Sequence, residues 1–145
     1  MRNVDSIVQE LADREAIREL ARRYAHYVWQ KEVRAAADLF TEDGVMDTGT
    51  QAPIQGREAI FATYSTVFAQ SDFFPFVHNH VIDLDGDSAR GTCYLDLRAT
   101  QEGRRMIGFG VYEDAYVRVA GEWKFRSRSL RINELVPLRE DPASR

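Results

Sequence analysis

Phe76-Val77-His78-Asn79-His80-Val81-Ile82-Asp83-Leu84-Asp85-Gly86-Asp87-Ser88-Ala89-Arg90-Gly91-Thr92-Cys93-Tyr94-Leu95 reads as two strands joined by a tight turn. Asp85-Gly86 is a strong signal for a two-residue hairpin, because such turns need backbone with positive φ. Strand side chains alternate between faces with period two, so a turn of known length sets which residues oppose each other. Leu84 is then expected opposite Asp87, Ile82 opposite Ala89, His80 opposite Gly91, His78 opposite Cys93 and Phe76 opposite Leu95.

Toward the C-terminus the same reading continues through strands over Met106 to Val119 and Glu122 to about Leu135. Ala120-Gly121 serves as the second tight turn, and Gln101 to Arg104 as a four-residue loop. Cys93 then pairs with Tyr112, Gly91 with Asp114 and Leu95 with Gly110; on the last strand Tyr112 meets Ser129, Asp114 meets Ser127 and Gly110 meets Arg131. Toward the N-terminus the period changes. Ile17, Leu20, Ala21, Tyr24 and Val28 recur at helical spacing between Ala12 and Lys31. Val33 to Phe40 reads as a short helix closed by the turn Thr41-Glu42-Asp43-Gly44, Val45 to Asp47 as a short strand, and Gly56 to about Gln70 as a third helix. Helices followed by an antiparallel meander make an α+β fold.

The pairings lay out two faces. One is apolar or small with a few polar groups embedded, holding His78, His80, Cys93, Tyr112, Asp114, Ser127, Ser129 and Arg131; the other is charged and includes Glu113 with Arg128. The first face must lie under the helices, and Gly91, Gly108 and Gly110 leave room beside it for a ligand. With strands about 4.8 Å apart, His80 and Asp114 stand roughly two spacings apart across Gly91. A carboxylate there orients an imidazole for general-base work, His78 beside Tyr112 offers a second pair, and Arg131 suits a developing enolate or a carboxylate. Each of these residues also has an ordinary packing role open to it.

The 145 residues, 44% hydrophobic and 29% charged with a formal net charge of -4, fit one domain, residues 1–145, with a flexible tail from about 139. The 19 Lys+Arg are outnumbered by 23 Asp+Glu and form no basic run, so a nucleic-acid partner is not expected. No apolar stretch reaches bilayer-spanning length, and Met1 to Asp5 lacks the layout of a secretory leader; a cytoplasmic chain with no membrane partner is the expectation. One cysteine, Cys93, allows no internal disulfide. Glycine-rich phosphate loops, a nucleophile elbow and a His-Glu-x-x-His pair are absent, and His78-x-His80 with Asp114 lacks further ligands for a metal.

Arg14-Glu15-Ala16-Ile17-Arg18-Glu19-Leu20 with Arg23-Tyr24-Ala25, Asp38 to Val45, Gly56-Arg57-Glu58-Ala59-Ile60, Asn79 to Asp87 and Gly121-Glu122-Trp123-Lys124-Phe125 together resemble the SnoaL-like branch of the NTF2-like superfamily. The resemblance covers almost the whole chain and implies a cone-shaped α+β barrel, three N-terminal helices on a curved, mainly antiparallel sheet, with a deep pocket. It also implies cofactor-free acid–base chemistry of the scytalone dehydratase, bile-acid dehydratase or ketosteroid isomerase kind, and dimerisation through the outer sheet face. Tyr24 matches a pocket tyrosine of the dehydratase-like members. The aspartate those members carry about five residues later is Trp29 here, and their histidine at the start of the third strand falls near Pro75.

The expectation is therefore a cofactor-independent lyase, a dehydratase acting on a hydrophobic aromatic, polyketide-like or steroid-like molecule, in a homodimer or higher homo-oligomer. His78, His80, Tyr24, Tyr112 and Asp114 are its candidate catalytic residues. Trp29, Phe76, Cys93, Leu95, Leu97, Ser129 and Arg131 are the candidates for substrate binding, with no metal and no cofactor. A ketosteroid isomerase-type isomerase and a noncatalytic binder of apolar ligands use nearly the same groups and stand as alternatives.

Overall fold

A computed structural model describes residues 2–139. Helix α1 runs from Val4 to Gln30, and its apolar stripe Ile17, Leu20, Ala21, Tyr24 and Val28 is buried against the sheet. It starts well before Ala12 because Asn3 caps it, accepting a 2.8 Å hydrogen bond from the Ser6 backbone N–H. It stops where Lys31 takes left-handed backbone geometry and returns its N–H to the Tyr27 and Val28 carbonyls. Helix α2 (Val33–Ala37), strands β1 (Phe40–Asp47) and β2 (Ile54–Gln55) and helix α3 (Arg57–Gln70) follow, then strands β3 (Phe73–Asp85), β4 (Ser88–Gln101), β5 (Arg104–Val119) and β6 (Glu122–Pro137).

The six strands form one sheet in the order β2-β1-β6-β5-β4-β3. It is antiparallel except where β1 lies parallel to β6, and it is curved without closing, so β3 and β2 remain edges. The stretch Thr41 to Gly44, expected as a turn, lies inside β1 as an irregularity between Phe40 and Val45. The tail expected from 139 falls, past Arg139, outside the described residues. No helix of the described residues is long and apolar enough to cross a membrane.

Between β4 and β5 the register is as expected: Cys93 faces Tyr112, Gly91 faces Asp114 and Leu95 faces Gly110. The β3–β4 turn is centred one residue further on, at Gly86-Asp87, so Asp85 meets Ser88 and Ile82 meets Gly91. That moves each pair by two residues and leaves the faces unchanged. A β-bulge between Val77 and His80 then reverses them: Val77 faces Leu95, His80 faces Cys93, and Phe76 and His78 turn to the outer side. Two more bulges interrupt β6, where Arg126 and Asn133 are the extra residues. Between them Arg128 opposes Asp114, Leu130 opposes Tyr112 and Ile132 opposes Gly110, so Ser129 and Arg131, expected inside, lie on the outer side.

Candidate functional site

The inner row expected as His80, Gly91, Asp114 and Ser127 is Ile82, Gly91, Asp114 and Arg128. Asp114 and Arg128 have fully buried side chains and meet through Arg128 Nε to Oδ1 at 2.9 Å and Arg128 Nη2 to Oδ2 at 3.2 Å. Two-point contact and complete burial make this an internal ion pair that is costly to break. Burial works against the charge of Arg128, but Asp114 outweighs it and holds the guanidinium protonated. Aromatic faces enclose the cation: its Cζ lies 3.6 Å from the Tyr112 ring centroid, 4.5 Å from Phe125 and 4.6 Å from Tyr24.

From this pair a hydrogen-bonded chain runs toward the sheet edge. Tyr116 donates its hydroxyl to Asp114 Oδ2 at 2.7 Å, and His80 Nε2 lies 2.8 Å from the same hydroxyl. With the phenol proton spent on Asp114, the oxygen accepts from His80, which sets the imidazole as the Nε2–H form and leaves Nδ1 unprotonated. Gly91 makes this reach feasible, since a Cβ there would stand 2.9 Å from the Tyr116 hydroxyl. Burial, reinforced by Arg128, Arg18 and Arg22 against the pull of Asp114, brings the His80 pKa down to about 4. Burial likewise raises the Tyr116 phenol well above its usual value and pushes the Cys93 thiol up to about 11.

An apolar cavity lies on the other side of Tyr112. It holds about 290 Å³ between α1, α3, β1 and the ends of β4 to β6. Tyr24, Tyr64 and Tyr112 supply its phenols, and Met46, Phe68, Phe73, Leu130 and Ile132 much of its apolar wall. Tyr24 and Tyr64 share a 2.7 Å hydrogen bond, whereas the Tyr112 hydroxyl and Arg128 Nη1 are buried without a partner among the described residues. Burial raises all three phenols, so they remain protonated donors. The carboxylate on the lining, Asp72, is half exposed and paired with Lys31 at 2.8 Å.

Of the expected catalytic residues, Tyr24 and Tyr112 line this cavity, while His80 and Asp114 belong to the chain behind it. His78 is on the outer face, exposed, 2.7 Å from Asp96 Oδ2. The two histidines thus occupy opposite faces, which removes the His78-x-His80 ligand pair, and among the described residues no cluster of three potential ligands is placed to hold a metal. Phe76 is exposed; Leu95 and Leu97 are buried core residues outside the cavity lining, and Cys93 is buried beside His80. Arg131 is exposed, 3.4 Å from Glu113, and Ser129 stands opposite Glu113. Trp29 does not line the cavity either. It packs on Phe74 and Phe76 and donates its indole N–H to the Pro75 carbonyl at 2.7 Å.

That last contact is informative about chemistry. The two positions where the resemblance places an aspartate and a histidine, Trp29 and Pro75, do touch, but they touch as an indole and a backbone carbonyl. Neither transfers a proton near neutral pH. Arg128, Tyr116 and Tyr64 are the residues that sequence reasoning did not assign to the site. An unpaired carboxylate at Asp114 on an apolar face was the available signal, since burial demands a cation and Arg126 and Arg128 flank its expected partner Ser127.

Comparison with known proteins agrees with this architecture. Residues 9–129 match the family described as the SnoaL-like domain. A candidate aromatic ring hydroxylase from Novosphingobium aromaticivorans is 27% identical, with 88% of this chain and 94% of that one covered at a TM-score of 0.80. A candidate scytalone dehydratase from the same organism is 23% identical over 91% of each chain, TM-score 0.80. A hexachlorocyclohexane dehydrochlorinase from Novosphingobium barchaimii is 22% identical over 92% of this chain and 94% of that one, TM-score 0.83. No curated protein matches the chain.

Proposed function

The chain belongs to the SnoaL-like domain family, and we propose that it binds a flat, apolar small molecule bearing one hydroxyl or carbonyl group, without abstracting a proton from it. The carrying observation is the cavity itself: an apolar wall with three buried phenols, one of which, Tyr112, has no protein partner among the described residues. A buried donor left unpaired costs about 1–3 kcal/mol, which a ligand oxygen placed against it recovers. Phenols held protonated by burial can polarise a carbonyl or hydrogen-bond a hydroxyl, but elimination also needs a base. Among the described residues the lining offers no imidazole, and its one carboxylate is neutralised by Lys31. At about 290 Å³ the cavity sits at the small end of ligand sites, roughly 300–1,000 Å³, which favours a one- or two-ring molecule over a steroid.

Naphthol and naphthalene test this directly, by fluorescence or calorimetric titration. The wild type is expected to prefer naphthol, and Tyr112→Phe to weaken naphthol alone by about tenfold, the worth of one hydrogen bond. The same change leaves folding stability unaltered or improved, because it removes an unsatisfied buried group. Equal affinity for the two ligands in the wild type overturns the reading.

A dehydratase-like lyase is the second reading, and the His80–Tyr116–Asp114 chain favours it, since Nδ1 of an oriented imidazole is a base. It predicts that the protein accelerates exchange of the α-protons of tetralone in D2O and that His80→Gln stops it. The binding reading predicts no acceleration. Homo-oligomer formation is supported by exposed Phe76, Tyr94, Phe109 and Val136 on the outer side of the sheet, an apolar patch of the kind that marks an interface.

A further inference from the structure

We propose that the cleft between α1 and the bulged part of β3 is a second site, which binds a small oxyanion, a carboxylate or a phosphate. Its walls are Arg18, Ala21 and Arg22 from α1, Val77, His78 and His80 from β3, and Cys93 from β4, around about 160 Å³. Among the described residues no acidic side chain is on the lining, although the chain as a whole is acidic, with a formal net charge of -4. Arg14, Arg18 and Arg22 follow at four-residue spacing along the face of α1 that meets β3. Arg14 is occupied by Glu10 and the Ile82 carbonyl, and Arg22 by Glu15 and Glu19. Arg18, between them and half-buried, makes no hydrogen bond or ion pair among the described residues. A guanidinium that has lost part of its hydration without gaining a carboxylate is set to accept an anion.

The bulge builds the rest of the site. Because of it Val77 and His80 both face inward beside α1, with His80 Nε2–H committed to Tyr116 and Nδ1 without a protein partner among the described residues. The groups that face His80 are Arg18 and Arg22 from α1, Cys93 from β4, Tyr116 and Asp114 from β5 and Arg128 from β6, while His78, on the rim of the cleft, turns outward to Asp96. Asp114 is already neutralised by Arg128. An anion in the cleft supplies the missing negative charge and favours protonation at Nδ1. Free His80 stays neutral at ordinary pH, its pKa lowered to about 4, so the anion carries a proton in with it. The pKa of the bound state exceeds that of the free state, so, while the anion itself stays ionised, affinity declines as pH rises through the bound-state value.

Inorganic phosphate and acetate, titrated separately against the full chain, test the site, with His80 imidazole resonances followed by NMR and sodium chloride at matched ionic strength as reference. Saturable shifts of His80 with at least one of the two oxyanions are expected, tighter at acid than at alkaline pH by up to about tenfold per pH unit. Phosphate alone saturating points to a phosphate ester, and acetate alone to a carboxylate. Arg18→Gln is expected to weaken binding by about tenfold or more, and Arg18→Lys by less. His80→Gln keeps binding, read by calorimetry, but abolishes its pH dependence. All three variants retain naphthol binding in the tyrosine-lined cavity, so failure here is separable from failure of the proposed ligand pocket. Shifts no larger than those with chloride, or unchanged in Arg18→Gln, overturn the site.

Discussion

Asp114→Ala is expected to lower the unfolding free energy by about 3–5 kcal/mol, because it leaves Arg128 as an uncompensated buried charge. Both side chains of the pair are fully buried, and among the described residues no other carboxylate contacts the guanidinium. The aromatic faces of Tyr112, Tyr24 and Phe125 attract the cation, but such contacts are worth about 2 kcal/mol or somewhat more when desolvated, only part of the several kcal/mol that removing an ion from water costs. The Tyr116 hydroxyl loses its acceptor at the same time. For a chain of this length, about 2–4 °C per kcal/mol implies a melting temperature lower by roughly 10 °C. Asp114→Asn, which keeps the shape and an acceptor for Tyr116, is expected to fall between. The decisive arm is Asp114→Leu combined with Arg128→Met: with both charges gone, the double variant should recover most of the loss. Denaturant unfolding of the single and double variants measures this. If the double variant is no more stable than Asp114→Ala, the penalty belongs to lost packing and the ion-pair account fails.

The same pair shows what was legible in the sequence and what was not. The β4–β5 register followed from alternation and the loop at Gln101 to Arg104, and it placed Asp114 on the inner face correctly. The partner of Asp114 was hidden by one extra residue, Arg126, which carries Arg128 from the charged face to the core. A bulge leaves little trace in composition: strict alternation puts His78 and His80 on one face whichever phase is chosen, and only the extra residue between Val77 and His80, selected by tertiary packing, half-buries His80 and exposes His78. The helices and the family blocks were readable because each has a local cause, a periodic apolar stripe or a glycine turn. The site was less so, because its tyrosines come from α1, α3 and β5 and meet only after folding. The substitution of Trp29 and Pro75 for an acid–base pair was visible as a departure from the resemblance; that those residues touch is a finding of the structure.

Gly108→Ala carries the second large effect, and its cause is the other bulge of β6. Asn133 is the extra residue there, and the displaced backbone brings the Glu134 carbonyl oxygen to within 2.1 Å of where a Cβ on Gly108 would stand. Gly110 is similarly placed, with the Arg131 carbonyl oxygen at 2.4 Å. Neither glycine has positive φ, so the constraint is the space itself and not the backbone angle. A backbone carbonyl cannot rotate away as a flexible side chain does; β6 must move as a strand. Overpacking of this kind costs typically about 1–3 kcal/mol, and contact with backbone argues for at least the upper end. The movement also reaches the cavity, because Ile132, which opposes Gly110, lies on its wall. Gly110→Ala is therefore expected both to destabilise the fold by a comparable amount and to weaken naphthol binding by about tenfold, whereas Gly108→Ala, opposite Leu135 and off the cavity lining, changes stability more than affinity. Thermal unfolding and naphthol titration on the two variants separate these effects. Wild-type stability in both would mean that the strand adapts freely at the bulge, and the close approach would then explain neither glycine.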